Sequence, residues 1–383
     1  MLDRRSLIVS GSLAGTGLLF APRIALARAS TQRRLVFVIQ RGAADGLGTL
    51  APTGDPAYAG LRGALAADFA DAQQLGGMFA LHPALAQVAK LHGAKQALFV
   101  HAAASPYRDR SHFDGQNVLE TGGNMPYDVK SGWLNRLVGL LPASEARALA
   151  ISATIPAALR GPAQVASYAP SNLPRASDDL LNRVTQLYQG DALLHPLWAE
   201  AMATRAMAGD LAADGGRGAA ATGALAASLM TGDQGARVVM IETGGWDTHA
   251  GQLARLRAQL VGLDALIGAL QVGLGPAWAD TLVVVATEFG RTAAVNGTGG
   301  TDHGTASLAM LLGGTVVGGR IVADWPGLAT ASLYEGRDLR PTASLDATIA
   351  GAVAQHFALD PALAMKTLFP GGTSQASEGL VVT

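Results

Sequence analysis

A chain of 383 residues with 49 % hydrophobic and only 15 % charged residues is long enough to bury a substantial core. It has no cysteine, which excludes disulfides, zinc ribbons, iron–sulfur ligation and thiolate nucleophiles, and its 48 glycines show no period of three, which excludes collagen. The formal charge is −1 and the only lysines are Lys90, Lys95, Lys130 and Lys366, so no basic patch with interleaved aromatics supports nucleic-acid binding.

Residues 1–29, "MLDRRSLIVSGSLAGTGLLFAPRIALARA", read as a targeting segment: paired arginines, a mildly apolar stretch, then Ala27 and Ala29 spaced for a signal peptidase. Arg4 and Arg5 before Ser6 and Leu7 resemble the twin-arginine export signal, with Asp3 in place of its usual serine or threonine. A plain Sec signal and an amphipathic N-terminal helix are the other readings. Cleavage before Ser30 removes a net +3 and leaves a mature chain of about −4.

The mature chain opens with "RLVFVIQRGAADGLG". Leu35 to Ile39 is an uninterrupted apolar run that predicts a central strand of a parallel sheet. A helix pattern and a second buried run, Ala97 to Ala102, follow; "SPYRDRSHFDGQN" comes directly after it, and "GWLNRLVGLL" reads as a short amphipathic helix. Residues 145–233, rich in Ala, Leu, Arg and Asp, predict a mostly helical insertion beside the active face, with a loose connection at "GDLAADGGRGAAATG". Strand and helix patterns then alternate again through "GARVVMIETGGWD", a long helix, "TLVVVATEFGRT", "TDHGTASLAMLLGG" and "TVVGGRIV". The tail "GGTSQASEGLVVT" reads as peripheral. "ALIGALQVGLG" and "LVVVATEF" are too short to predict a membrane span. The pattern predicts one doubly wound α/β domain over residues 30–383, with a mostly parallel sheet.

Ligands of such sheets bind beyond the carboxyl ends of the strands, where four polar clusters fall. Asp45 follows the first strand, Ser105 to His112 the second, Glu242 to His249 the third and Glu288 to Arg291 the fourth; His303 precedes a further apolar run. Asp247 and His249 are carboxylate and imidazole donors suited to zinc or manganese, and Gly244–Gly245 lets both approach one ion; equally, Asp247 caps a helix. Glu242 reads as a ligand, a base for water or the polar stop of a strand. Asp302–His303 sits between small residues and reads as a site or as a cap beside a satisfied histidine. Glu288 and Arg291 read as an oxyanion clamp or as a salt bridge with each other. Ser111, with Arg108 and Arg110 nearby, reads as a nucleophile or a helix cap. Asp45 is a ligand candidate by position, or an Asx-turn cap. His82, His92, His195 and His356 read as structural; His101, at a strand end, is the possible exception. No P-loop, GxGxxG or GxSxG motif supports a nucleotide cofactor or a serine–histidine–acid hydrolase.

The leader with "RGAADGL", "SHFDGQNVLETG", "GGWDTHAGQ", "TEFGRT" and "GTDHG" resembles the DUF1501 family of exported bacterial proteins. More distantly, the chain is similar to the alkaline phosphatase and sulfatase superfamily. That resemblance implies an alkaline-phosphatase-like core and one or two divalent ions, zinc or manganese. It places Asp45, Asp247, His249, Glu288 and His303 at the metal, Ser111 as nucleophile, Glu242 as a further acid, and Arg291 or Arg110 against the anion. Where alkaline phosphatase carries an adjacent Asp-His pair, this chain has Glu288-Phe289, which removes one imidazole and favours one ion. The expected function is an exported, metal-dependent hydrolase of phosphate or sulfate esters. It would act in the periplasm or outside the cell on an anionic small-molecule or envelope substrate, after passage through the twin-arginine machinery. The alternative is a non-catalytic periplasmic binding or assembly protein that retains the fold.

Overall fold

The structure, a computed structural model, describes residues 32–142, 146–169, 176–208, 218–232 and 235–382. The leader read at residues 1–29 and most of the loose connection read at residues 209–217 lie outside them.

Nine strands form the central sheet: β1 (Arg34–Gln40), β2 (Ala97–Ala104), β3 (Ala148–Ile151), β4 (Val165–Ser167), β5 (Val238–Thr243), β6 (Thr281–Ala286), β7 (Ser307–Leu312), β8 (Arg320–Val322) and β9 (Ala343–Ser344). Their order is β8-β2-β7-β6-β1-β5-β3-β4, with β9 beside β2. β1 pairs in parallel with both β5 and β6, while β7 runs antiparallel to β2 and β6. The mostly parallel α/β sheet expected from the apolar runs is therefore present.

Those runs are continuous because both faces of the sheet are covered. Leu35, Phe37 and Ile39 point to one side, against α3 (Trp133–Leu140), α8 (Leu345–His356) and α9 (Pro361–Leu368). Val36 and Val38 point to the other, against α1 (Ala86–Gly93), α6 (Ala219–Met230) and α7 (Gln252–Leu274). Each face of one strand thus belongs to a different core.

α7 buries Leu256, Leu260, Leu263, Ile267, Leu270 and Leu274, a single stripe at helical spacing. With the turn that follows, Gln252–Asp280 is long and apolar enough to cross a membrane by length and composition, which the shorter sequence runs did not predict. The leucine stripe lies in the core under the sheet.

Three local expectations differ. Within residues 145–233, helices α4 (Asp178–Tyr188), α5 (Leu194–Ala208) and α6 are present, but β3 and β4 extend the central sheet, β3 pairing with β5. Short strands such as "ALAI" carry too little periodicity to separate from helix. The tail is not merely peripheral: Val381 bridges Val316, and Ser377 N–H donates to Ala347 O at 2.9 Å.

Asp45 is the third. It caps the helical turn Gly46–Thr49, accepting from Gly48 N–H at 3.1 Å, and its other oxygen is taken by Arg62 and Gln252. Both Asp45 and Arg62 are sealed from solvent. Both Asp45 oxygens are engaged and its charge is paired with a buried guanidinium, so in this structure Asp45 braces the loop after β1 and lies apart from the imidazole cluster. Removing one partner of a buried pair strands the other charge. Arg62→Met is expected to destabilise the fold by about 3–5 kcal/mol, measured by denaturant unfolding, and the double variant Asp45→Asn/Arg62→Met by less than the sum.

His101 and His356 are buried, each bonded to a backbone carbonyl: Leu50 O at 2.8 Å and Arg34 O at 2.9 Å. The strand-end exception for His101 is thereby withdrawn. Burial pushes these imidazoles down to about 4 and about 3. Below the unfolded value of about 6.5 the unfolded chain binds protons that the folded chain refuses, so stability is full above that pH and falls as pH drops toward the folded values. Each histidine steepens the loss by up to about 1.4 kcal/mol per pH unit. Urea midpoints between pH 7 and 4 should show this, with a shallower slope in His356→Gln.

Candidate metal centre

β1, β2, β5 and β6 point the same way, so the loops after them emerge at one edge of the sheet. β7 runs opposite, so the segment before it reaches that same edge. This explains why His303 precedes its strand while the other candidates follow theirs.

Gly42, on the loop after β1, brings two backbones close. It has φ +117°, and a Cβ there would lie 2.6 Å from the Asp247 nitrogen. Its own N–H donates to Glu288 Oε1 at 2.9 Å. Gly245, at φ +85°, turns the chain after β5 so that Asp247 and His249 both face inward.

Three imidazoles meet at Asp247. His112 opens α2 (His112–Thr121), His249 lies on the loop before α7, and His303 lies before β7. The Nδ1 atom of each is engaged: His112 with Glu288 Oε1 at 2.8 Å, His249 with Asp302 Oδ1 at 3.1 Å, His303 with the Arg110 carbonyl at 3.0 Å. Carboxylates and carbonyls only accept, so each Nδ1 carries a proton, and a ring that holds no second proton presents an Nε2 lone pair. The three Nε2 atoms lie 3.5, 3.0 and 3.3 Å from an Asp247 oxygen, for His112, His249 and His303 respectively. His249 Nε2 and His303 Nε2 are 3.0 Å apart. Four donors around a zinc-like ion at 2.0–2.1 Å are separated by about 3.3–3.4 Å. His112 Nε2 is buried with no hydrogen-bond partner, an orphaned atom of the kind an ion satisfies. Among the described residues, His112, Asp247 and His303 form a group that could hold a metal, with donor atoms within 4.8 Å of one another.

The surrounding charges suit this arrangement. Burial alone would raise the Asp247 carboxyl, but the Arg291 guanidinium, joined by the imidazoles when they carry charge, outweighs it and holds the group below the ordinary aspartate range. Burial and then the neighbouring His112 hold His303 below the usual imidazole value, favouring its neutral, ligating form. The Glu288 hydrogen bond raises His112. The Asp247 side chain is 43 % exposed, so the cluster opens to solvent.

Of the residues singled out from sequence, Asp247, His249 and His303 come together. Five others are engaged in contacts outside the imidazole cluster or behind it. Glu288 is not a second-ion ligand: it is buried and accepts from His112, Gln116 and Gly42, so it orients an imidazole. Glu242 is held by Arg41, which also binds Glu120 and Gln116, and it ends a strand rather than activating water. Arg291, at 0 % exposure, donates to Asp247 at 2.9 Å; it sits behind the carboxylate and cannot clamp a solvent-borne anion. Arg110 has its guanidinium tied to Asp338 and Glu335, and contributes its carbonyl instead, presented by a backbone at φ +60°. Asp45 is the fifth, paired with Arg62 as described above. Ser111 is the residue before α2; its hydroxyl caps no N–H of the helix, and it stands between the Arg110 carbonyl and His112.

His112 is not singled out as a ligand by the sequence motifs, and its signal is its place at the start of a helix that follows a strand end. Asp302, a site or cap candidate beside His303 in the sequence, has His249 as its imidazole partner. Phe289 stacks on His112 with ring centroids 5.2 Å apart.

Residues 32–360 match the model of a family described as a protein of unknown function, DUF1501. No curated protein matches the chain in sequence. Among solved structures it is similar to Ps i-CgsB in complex with k-i-k-neocarrahexaose, at 11 % identity over 88 % of this chain and 74 % of that one, with a TM-score of 0.42. It is similar to the C-terminal periplasmic domain of EcEptC from Escherichia coli in complex with Zn, at 8 % identity over 74 % and 73 %, TM-score 0.35. It is also similar to alkaline phosphatase from the Antarctic bacterium TAB5, at 12 % identity over 74 % and 92 %, TM-score 0.36. These three likenesses are distant. The family match runs from just before β1 to just beyond α8, and the chain belongs to the DUF1501 family.

Proposed function

We propose that this protein is an exported, metal-dependent hydrolase of phosphate or sulfate esters, with one divalent ion, zinc or manganese, held by Asp247, His249, His303 and His112. The observation that carries the reading is the commitment of three Nδ1 protons to fixed acceptors, which leaves three Nε2 lone pairs converging on one carboxylate. A divalent ion there supplies Lewis acidity toward an ester oxygen. Asp302, Glu288 and the Arg110 carbonyl hold the rings in register. Arg291 keeps Asp247 ionised from behind. Ser111, next to His112 in the chain, is the proposed nucleophile, and the first N–H groups of α2 beside it favour an anion. The reaction class follows the resemblance of the motifs to the phosphatase and sulfatase superfamily, and export follows the twin-arginine leader. A non-catalytic metal-binding protein is the competing reading, favoured by the engagement of both Arg110 and Arg291 in ion pairs, which leaves neither guanidinium for substrate.

Protein purified without chelator is expected to carry about one zinc or manganese per chain by elemental analysis. Asp247→Ala and His303→Ala should lose both the metal and turnover of nitrophenyl phosphate or sulfate; full retention of both in both variants would overturn the mechanism. Metal without turnover of either ester would select the binding reading.

Glu288→Gln should weaken metal affinity by about 10–100-fold, because the amide no longer fixes the His112 tautomer. A competition titration against a chromogenic chelator measures it.

A further inference from the structure

A second cleft, of about 530 Å³, opens between the loop after β2 and the first turn of α8. It shares no lining residue with the imidazole cluster. Its walls include Ser105, Arg108, Asn124, Ser344, Asp346 and Thr373. Arg108 and Asp346 are the only charged side chains among the described residues that line it.

Arg108 is pinned but not neutralised. Its Nη1 donates to the carbonyls of Ser105 and Tyr107, which fixes the guanidinium plane, and no carboxylate pairs with it among the described residues. Nε and Nη2 are left without hydrogen bonds there. Asp346 is only 4 % exposed, yet its carboxyl lines the cleft with no hydrogen-bond partner among the described residues. It lies in the first turn of a twelve-residue helix capped by Ser344. A nearly buried carboxyl with no protein partner depends on what enters the cleft, water or a ligand, or stays protonated.

We propose that this cleft is a second, non-catalytic binding site for a small molecule bearing an oxyanion (a carboxylate, sulfate or phosphate group), held by the free edge of Arg108 and the N-terminal turn of α8, with the Asp346 carboxyl donating the remaining hydrogen bond. Guanidinium fork and helix N-terminus are complementary to such a group. Burial raises Asp346 to about 7, opposed only by Arg108, the one charged group acting on it. Below that pH it is a neutral donor. Above it, a second negative charge faces the ligand, so affinity falls as pH rises.

Sulfate, whose charge does not change between pH 6 and 8, is the probe, titrated calorimetrically into the full-length protein, with acetate as the planar counterpart. Saturable binding of either anion is expected, about tenfold weaker at pH 8 than at pH 6. Arg108→Gln should weaken it by at least about tenfold. Thr373→Trp, at the exposed mouth, should block it without disturbing the loop that Arg108 braces. Asp346→Asn should bind as well at pH 8 as at pH 6. His303→Ala, which dismantles the imidazole cluster, should leave this binding intact whatever becomes of ester turnover. Binding of neither anion, binding unchanged in both Arg108→Gln and Thr373→Trp, or binding lost in His303→Ala would overturn the proposal.

Discussion

Three imidazole N–H groups with fixed acceptors order the side chains at one edge of the sheet. A histidine free to choose its tautomer presents either nitrogen, and a cluster of such rings satisfies itself by internal hydrogen bonds. Here Glu288, Asp302 and the Arg110 carbonyl each take one Nδ1 proton, so no ring can donate from its other nitrogen without becoming charged. The Nε2 atoms of His249 and His303 face one another at 3.0 Å. Two lone pairs at that distance repel unless a cation lies between them or one ring is protonated. The fold maintains an arrangement that a positive ion relieves.

The groups behind the cluster are as much part of it as the ligands. Glu288 is buried and ionised because Gly42, Gln116 and His112 donate to it, and Gly42 reaches it only because no side chain keeps the loop after β1 from the Asp247 backbone. Arg291 is sealed behind Asp247 and keeps that carboxylate charged. The polar residues farther back, Asp45 with Arg62 and Glu242 with Arg41, complete their own pairs. Charges at the same sheet edge therefore divide into those paired with a guanidinium away from the cluster and those gathered around Asp247.

The parallel sheet was legible because strands buried on both faces leave uninterrupted apolar runs, and Leu35 to Ile39 and Thr281 to Ala286 are such runs. Polar residues at the ends of those runs were legible for the same reason: strand ends in a parallel sheet share an edge. β3 and β4 were not, since strands of three or four residues inside an alanine-rich stretch carry no period that excludes helix. Nor was the role of each acid. Asp45 and Asp247 occupy equivalent positions after codirectional strands, and nothing local distinguishes them. Their fates differ because Arg62 and Gln252 reach the first, while three histidines reach the second.

From sequence alone came the α/β class, the placing of Asp247, His249 and His303 at one edge, and the family motifs, since these depend on hydrophobic period and on residues close to one another along the chain. Tertiary structure decided which nitrogen each imidazole presents, that His112 joins the cluster, and that Glu288 orients a ring instead of binding an ion. Those outcomes turn on hydrogen bonds between residues as far apart as His112 and Glu288 or Arg110 and His303. Proton placement on a ring is set by the partner of its other nitrogen, and that partner exists only once the strands have brought the loops together.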